Sequence, residues 1–187
     1  MITLSKDWLS LCNEALLLCN KDQMQSLGEG SQQSLSCSTL LPGIISRVLY
    51  ERDWKCAKKR VRIAPDASAP AFGYSFQFTL PPDFIRPCEV NAESWELEGG
   101  KILSDEKPID LIYIAFPDGP SALNSELRAA IVYYLASEIA LTLTSDTSMV
   151  SSYRTLAETE MSRAKLNESA GEKDLLPKFN TWQESFR

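Results

Sequence analysis

The chain has 187 residues, 44% of them hydrophobic and 24% charged, and a net charge of -6. That size fits one folded domain with local extensions, and no apolar run approaches the roughly 18 residues that a membrane helix needs. An acidic surface repels phosphate on average, so any contact with DNA has to be local or transient.

Histidine is absent, and the five cysteines (Cys12, Cys19, Cys37, Cys56 and Cys88) contain no C-x-x-C pair. This argues against a zinc site, against a disulfide framework and against imidazole-assisted catalysis. The cysteines read as reduced and mostly buried small hydrophobes. The consecutive Leu16, Leu17 and Leu18 could be misread as part of a signal peptide, but Asp7, Asn13 and Glu14 interrupt the apolar stretch and no small-residue cleavage site follows. Synthesis in the cytoplasm is the expectation.

Over residues 5–19 the apolar positions Trp8, Leu11, Cys12, Ala15, Leu16 and Cys19 recur every three or four residues, which predicts a first helix. Gly28 and Gly30 break the rhythm before Ser31, a good N-cap for a second helix over 31–50. Pro42-Gly43 in its middle predicts a kink or two shorter helices.

Strand patterning follows. Ala57, Lys59, Val61 and Ile63 alternate with Lys58, Arg60 and Arg62, giving one mixed and one strongly basic face. Tyr74, Phe76, Phe78 and Leu80 alternate with polar residues, the pattern of a half-buried antiparallel strand. Shorter strands are expected at 87–91, 94–98, 101–103 and 109–115, with Gly99-Gly100 as a two-residue hairpin turn. Together these make one small antiparallel sheet between helical pairs.

A third helix over 122–143, capped by Ser121 and rich in alanine, is the candidate core helix. A fourth is expected over about 147–167, followed by a flexible Ser169-Ala170-Gly171 stretch. The chain then carries Leu175, Leu176, Phe179, Trp182 and Phe186, which suit either a segment folded back over its own domain or anchors docked in a groove of another chain, and the glycine-containing connector favours docking. The fold class is therefore α+β: a four-helix core with an inserted small antiparallel β-sheet and an extended C-terminal arm. In one domain spanning 1–187, residues 1–50 and 121–168 form the helical body, 51–117 the inserted sheet and 169–187 the arm.

Catalytic chemistry finds little support. Glu96 and Glu98 share one face of a strand and could form a carboxylate pair, but solvated charges on a hairpin are the commoner arrangement. Cys12 and Cys19 lie on the apolar face of a helix, where a thiol is inert. No phosphate-binding glycine loop is present, because Gly28-Glu29-Gly30 lacks both the spacing and a preceding strand. The basic run Arg52, Lys55, Lys58, Lys59, Arg60 and Arg62 admits three readings: a phosphate track, a charged guard on an edge strand, or a surface that meets an acidic neighbour.

Five stretches carry a family resemblance: LCNEALLLCNKDQMQSLGEG (11–30), DWKCAKKRVRIA (53–64), APAFGYSFQFTLPPDFIRPCEV (69–90), WELEGGKILSDEKPIDLIYIA (95–115) and LASEIALTLT (135–144). In order and spacing the chain resembles the tail tubular protein A family of short-tailed bacteriophages, the head-to-tail adaptors beneath the portal. It departs from the family's usual Leu-Pro-Ala-Asp at Leu80-Pro81-Pro82-Asp83, and it carries Pro42-Gly43 where at most a single proline is expected.

The resemblance implies a non-enzymatic, cofactor-free and metal-free homo-oligomer, a dodecameric ring enclosing the genome's exit channel. Its implied partners are the portal protein, a downstream tail or nozzle protein and the passing genomic DNA, with no membrane, and its implied location is the neck of the virion. Leu175, Leu176, Phe179, Trp182 and Phe186 then become the portal-docking arm, and Lys58, Arg60 and Arg62 a contact to a neighbouring subunit or to DNA. Two alternatives remain at this stage: a small metal-dependent hydrolase or nuclease using Glu96 and Glu98, and another tail-attachment protein.

Overall fold

The computed structural model describes residue 4, residues 6–143 and residues 146–173. Helices α1 (Trp8–Leu18) and α2 (Gln32–Tyr50) come first. Six strands follow: β1 (Lys58–Ile63), β2 (Phe76–Thr79), β3 (Phe84–Val90), β4 (Trp95–Glu98), β5 (Lys101–Ser104) and β6 (Ile109–Ala115). Helices α3 (Ser125–Leu143) and α4 (Thr147–Lys173) close the described chain. The class is α+β, as the sequence pattern implies.

The helical body is built around α3, which touches α1, α2 and α4. Its buried residues include Leu127, Ile131, Leu135 and Ile139, with Ala130, Ala136 and Ala140 between them. Small side chains let neighbouring helices approach on several sides, so α3 has no single apolar stripe. Its first turn is capped by Asn124, whose side chain accepts from Leu127 N at 2.9 Å, rather than by Ser121, which lies in the preceding 3-10 turn Pro120–Ala122.

Two expectations about helices are revised. Of the kink or the two shorter helices expected at Pro42, the second is excluded, because α2 runs through the proline as one helix. Ser31 caps its start, accepting from Ser34 N at 3.2 Å. Beyond the proline, Ile44, Ile45, Val48 and Leu49 are all buried in the body. Tertiary burial of that face outweighs the one backbone bond that proline removes.

α4 in turn continues through Ser169-Ala170-Gly171 to Lys173. Its distal turns are held from outside. Glu168 Oε1 accepts from Lys55 N at 2.8 Å, and Arg52 donates to Lys165 O at 3.3 Å and to Ser169 Oγ at 2.8 Å. Local composition at 169–171 favours a break, and these long-range bonds override it.

The third correction concerns the sheet, which is two sheets. One has strand order β1-β6-β3 and the other β2-β5-β4, with every pairing antiparallel. They pack face to face around Phe78 and Ile102 from the second sheet and Ile109, Leu111 and Tyr113 from the first. Phe76 and Leu80 lie against the same cluster, so the aromatic alternation marks the inner face of a small sandwich. Gly99 and Gly100, both at positive φ, form the expected turn between β4 and β5.

β6 explains how body and sandwich are joined. Leu111, Tyr113 and Ala115 enter the sandwich core, while the intervening Ile114 belongs to the helical core, along with Phe116 just beyond the strand. A strand buried on both faces reads as a nearly continuous apolar run, as in IDLIYIA. From the middle of β6 back toward its start the outer face is less covered, and Asp110 and Ile112 are half-buried.

Candidate interaction surface

The basic run is dispersed by the fold. Arg52 turns toward the end of α4. Lys58 approaches Asp53 at 3.3 Å, Lys59 donates to Asp83 at 2.7 Å, and Arg62 forks onto Asp110 at 2.5 and 2.7 Å. Among the described residues, no carboxylate lies within ion-pair distance of Arg60. The basic face of Lys58, Arg60 and Arg62 is therefore partly neutralised within its own chain.

Pairing register shows why. Arg60 stands opposite Ile112 and Arg62 opposite Asp110, and partners directly opposite share a face of the sheet. On the far side of Ile112 stands Glu89 of β3. The result is a shallow groove of about 460 Å³ floored by Ile112 and rimmed by Arg60, Arg62, Glu89, Asn91 and Asp110. Hydrogen bonding to Arg62 holds the Asp110 carboxyl below its ordinary range and raises Arg62 in return. Asp83 likewise raises Lys59.

A second network, unseen in the sequence, fixes the sandwich to the end of α2. Arg86 donates to Asp53 at 2.6 Å, to Tyr50 O at 2.9 Å and to Pro87 O at 3.2 Å, with its guanidinium 5.8 Å from the Tyr50 ring centroid. Burial acts to raise the Asp53 carboxyl, but bonds from Arg86 and Lys58 outweigh it and leave the group below its ordinary range. Arg86 sits 36 residues from Tyr50 in sequence. In the sequence only the position of Arg86, directly after Phe84-Ile85 in the FIRPCEV strand, hinted that it has a specific partner.

Glu96 and Glu98 sit exposed on the outer face of β4, an edge strand. The neighbouring carboxylates do not converge on them. Asp105 Oδ1 accepts from Ser75 N at 2.8 Å and Glu106 Oε1 from Glu93 N at 2.7 Å, so both cap backbone turns. Among the described residues, no three His, Cys, Asp or Glu side chains converge into a metal-binding group.

No family model matches this chain, and no curated protein does. Cys12, Cys19 and Cys37 are buried, Cys88 is half-buried and Cys56 is exposed. Burial raises the thiol of Cys19, and a bond to Cys37 raises that of Cys12 above all. Among the described residues no helix is long and apolar enough to cross a membrane. The proposed docking residues Leu175, Leu176, Phe179, Trp182 and Phe186 lie outside the described residues.

Proposed function

We propose that this chain is a head-to-tail adaptor of a short-tailed bacteriophage, a structural protein that assembles as a dodecameric ring under the portal and encloses the channel through which the genome leaves. The observation that carries this reading is the joining of two unlike bodies by one strand. Ile114 of β6 packs into the helical core and Leu111 and Tyr113 into the sandwich, so each subunit presents chemically different faces on one frame. A ring needs such faces, because its contacts are head-to-tail rather than self-complementary.

Further support comes from how the resembling stretches distribute over the fold. Residues 11–30 cover most of α1 and the loop after it, 53–64 contain β1, 69–90 contain β2 and β3, 95–115 contain β4 to β6, and 135–144 lie largely in the central α3. The resemblance thus spans both bodies and the strand that joins them. The net charge of -6 suits a channel that must release DNA rather than hold it.

The test is binding to the portal protein encoded with this chain. The cut belongs after Lys173, because Glu168 and Ser169 are tied to residues 52–55 and an earlier cut disturbs the fold. The expected result is that the full chain binds the portal while the truncated chain stays folded and does not. Equal binding by both refutes the docking role of the arm, and failure of the full chain to bind refutes the adaptor reading.

A further inference from the structure

We propose that the groove over Ile112 is the seat of this chain's own C-terminal arm before assembly. The end of residues 174–187 lies across the outer face of the β1-β6-β3 sheet, with Glu184 on Arg60, Phe186 on Ile112 and Arg187 on Glu89. This seat belongs to the free chain and does not depend on the adaptor reading.

The outer face of that sheet is only partly covered. In one cross-strand row Ile114 stands between Lys58 and Arg86 and is fully buried in the helical core. In the next row Ile112 stands between Arg60 and Glu89, and there the cover stops: Ile112 is half-buried and both charged neighbours are exposed. Neither Arg60 nor Glu89 makes an ion pair among the described residues, since Ile112 and its strand hold them apart. A half-covered isoleucine between unpaired charges of opposite sign suits a segment that brings an apolar side chain flanked by an acid and a base.

The arm carries that set in the matching order. Across the row the groove reads base, apolar, acid, and along residues 184–187 the arm reads acid, aromatic, base at Glu184, Phe186 and Arg187. The spans agree as well. Arg60 and Glu89 stand on the two margins of a three-stranded sheet, about 10 Å apart. Extended chain from Glu184 to Arg187 covers about 10 Å. Laid in the opposite sense, Glu184 meets Glu89 and Arg187 meets Arg60, so charge also sets the direction.

Reach is sufficient. α4 ends at Lys173, and just before its end Glu168 Oε1 accepts from Lys55 N at 2.8 Å. Chain geometry from Lys55 to Arg60, with the helix rise from Glu168 to Lys173, places the end of α4 at most about 35 Å from Arg60. The stretch from Lys173 to Glu184 extends to about 36–40 Å. The arm thus reaches the groove of its own chain without any change in α4. A weak contact is enough, because a tethered segment acts at an effective concentration of about a millimolar. In an adaptor, the portal then has to draw the arm out of this seat, and a lone subunit keeps its aromatic end covered.

The experiment uses the full chain and reads the Cδ1 methyl of Ile112 by NMR, whose signal is displaced by the ring current of an aromatic side chain seated on it. Thermal melts check folding. In the parent the signal is expected to be independent of protein concentration, and Phe186→Ala is expected to shift it. Glu184→Arg, and Arg60→Glu, which breaks no ion pair among the described residues, are each expected to lower the docked population at least about tenfold and move the signal toward its position in the Phe186 variant. The chain carrying both charge changes is expected to restore the parent signal, which a merely local effect of either change on the methyl would not do.

An Ile112 signal unmoved by Phe186→Ala and Glu184→Arg overturns the proposal, as does loss without restoration in the paired variant. A displacement that grows with protein concentration overturns it in favour of the arm of a second copy. Movement of the signal on adding duplex DNA, with the arm substitutions silent, overturns it in favour of nucleic acid. The adaptor reading itself stands or falls on portal binding.

Discussion

The phenol of Tyr113 donates to the Asp83 carboxylate across 3.0 Å, at the point where the Leu80-Pro81-Pro82-Asp83 corner meets the middle of the joining strand. Asp83 also takes the Lys59 ammonium at 2.7 Å, and its backbone carbonyl accepts from Phe116 N at 2.6 Å. One residue after two prolines thus ties β1, β6 and the exit from the sandwich together. The prolines restrict the backbone on the approach to Asp83, so the corner gives up little further entropy on folding.

Removing that phenol tests the corner. Burial, and then the bond to Asp83, pushes the Tyr113 hydroxyl up to about 12. Between its unfolded value near 10 and that folded value, the folded chain holds a proton the unfolded chain has lost, so stability falls as pH rises through this window. Tyr113→Phe should cost about 1.5–3 kcal/mol at neutral pH, from one lost bond to a charged acceptor. It should also flatten the loss of stability above about pH 10, read from urea midpoints across the alkaline range. A variant with the parent's alkaline slope would place the titration elsewhere.

Neighbouring positions on β6 test the coupling of the two bodies. Leu111 is 1% exposed in the sandwich core and Ile114 is fully buried in the helical core. Leu111→Ala and Ile114→Ala should each cost about 2–5 kcal/mol. Helical and aromatic signals should unfold together in both variants. Separate transitions in the Leu111 variant would show that the sandwich melts on its own.

The distal part of α4 depends on a side chain nearly as well covered as the core. Glu168 is 9% exposed and accepts from Lys55 N. Glu168→Ala leaves that donor without its partner and should cost about 1–3 kcal/mol, with faster amide exchange at residues 165–169 and 52–55. Glu168→Gln keeps an acceptor and should recover most of the loss. Equal exchange in all three proteins would mean that the contact does not hold the helix.

The sequence carried the local features and was silent on the distant ones. The i, i+3, i+4 spacing of Trp8, Leu11, Cys12 and Ala15 and the alternation of Phe76, Phe78 and Leu80 each report a face, and both faces are buried where expected. Gly99-Gly100 reports a turn that only residues tolerant of positive φ form readily. Sheet membership is different. Whether β2 pairs with β5 or with β1 is decided by partners that a strand's own alternation does not encode, so two sheets read as one. The same holds for charge. Lys58, Arg60 and Arg62 look alike in sequence, yet Lys58 and Arg62 have acidic partners at Asp53 and Asp110. Register alone distinguishes Arg60.

The shared strand also has a mechanical meaning. A hinge between sandwich and helices would have to sit in β6, and there it would pull Ile114 from the bundle or Leu111 from the sandwich. Arg86, bonded to both Asp53 and Tyr50 O, braces the same junction from the β3 side. Torque applied to the sandwich is therefore expected to pass into the bundle through β6 and the Arg86 brace, because packed interiors transmit strain.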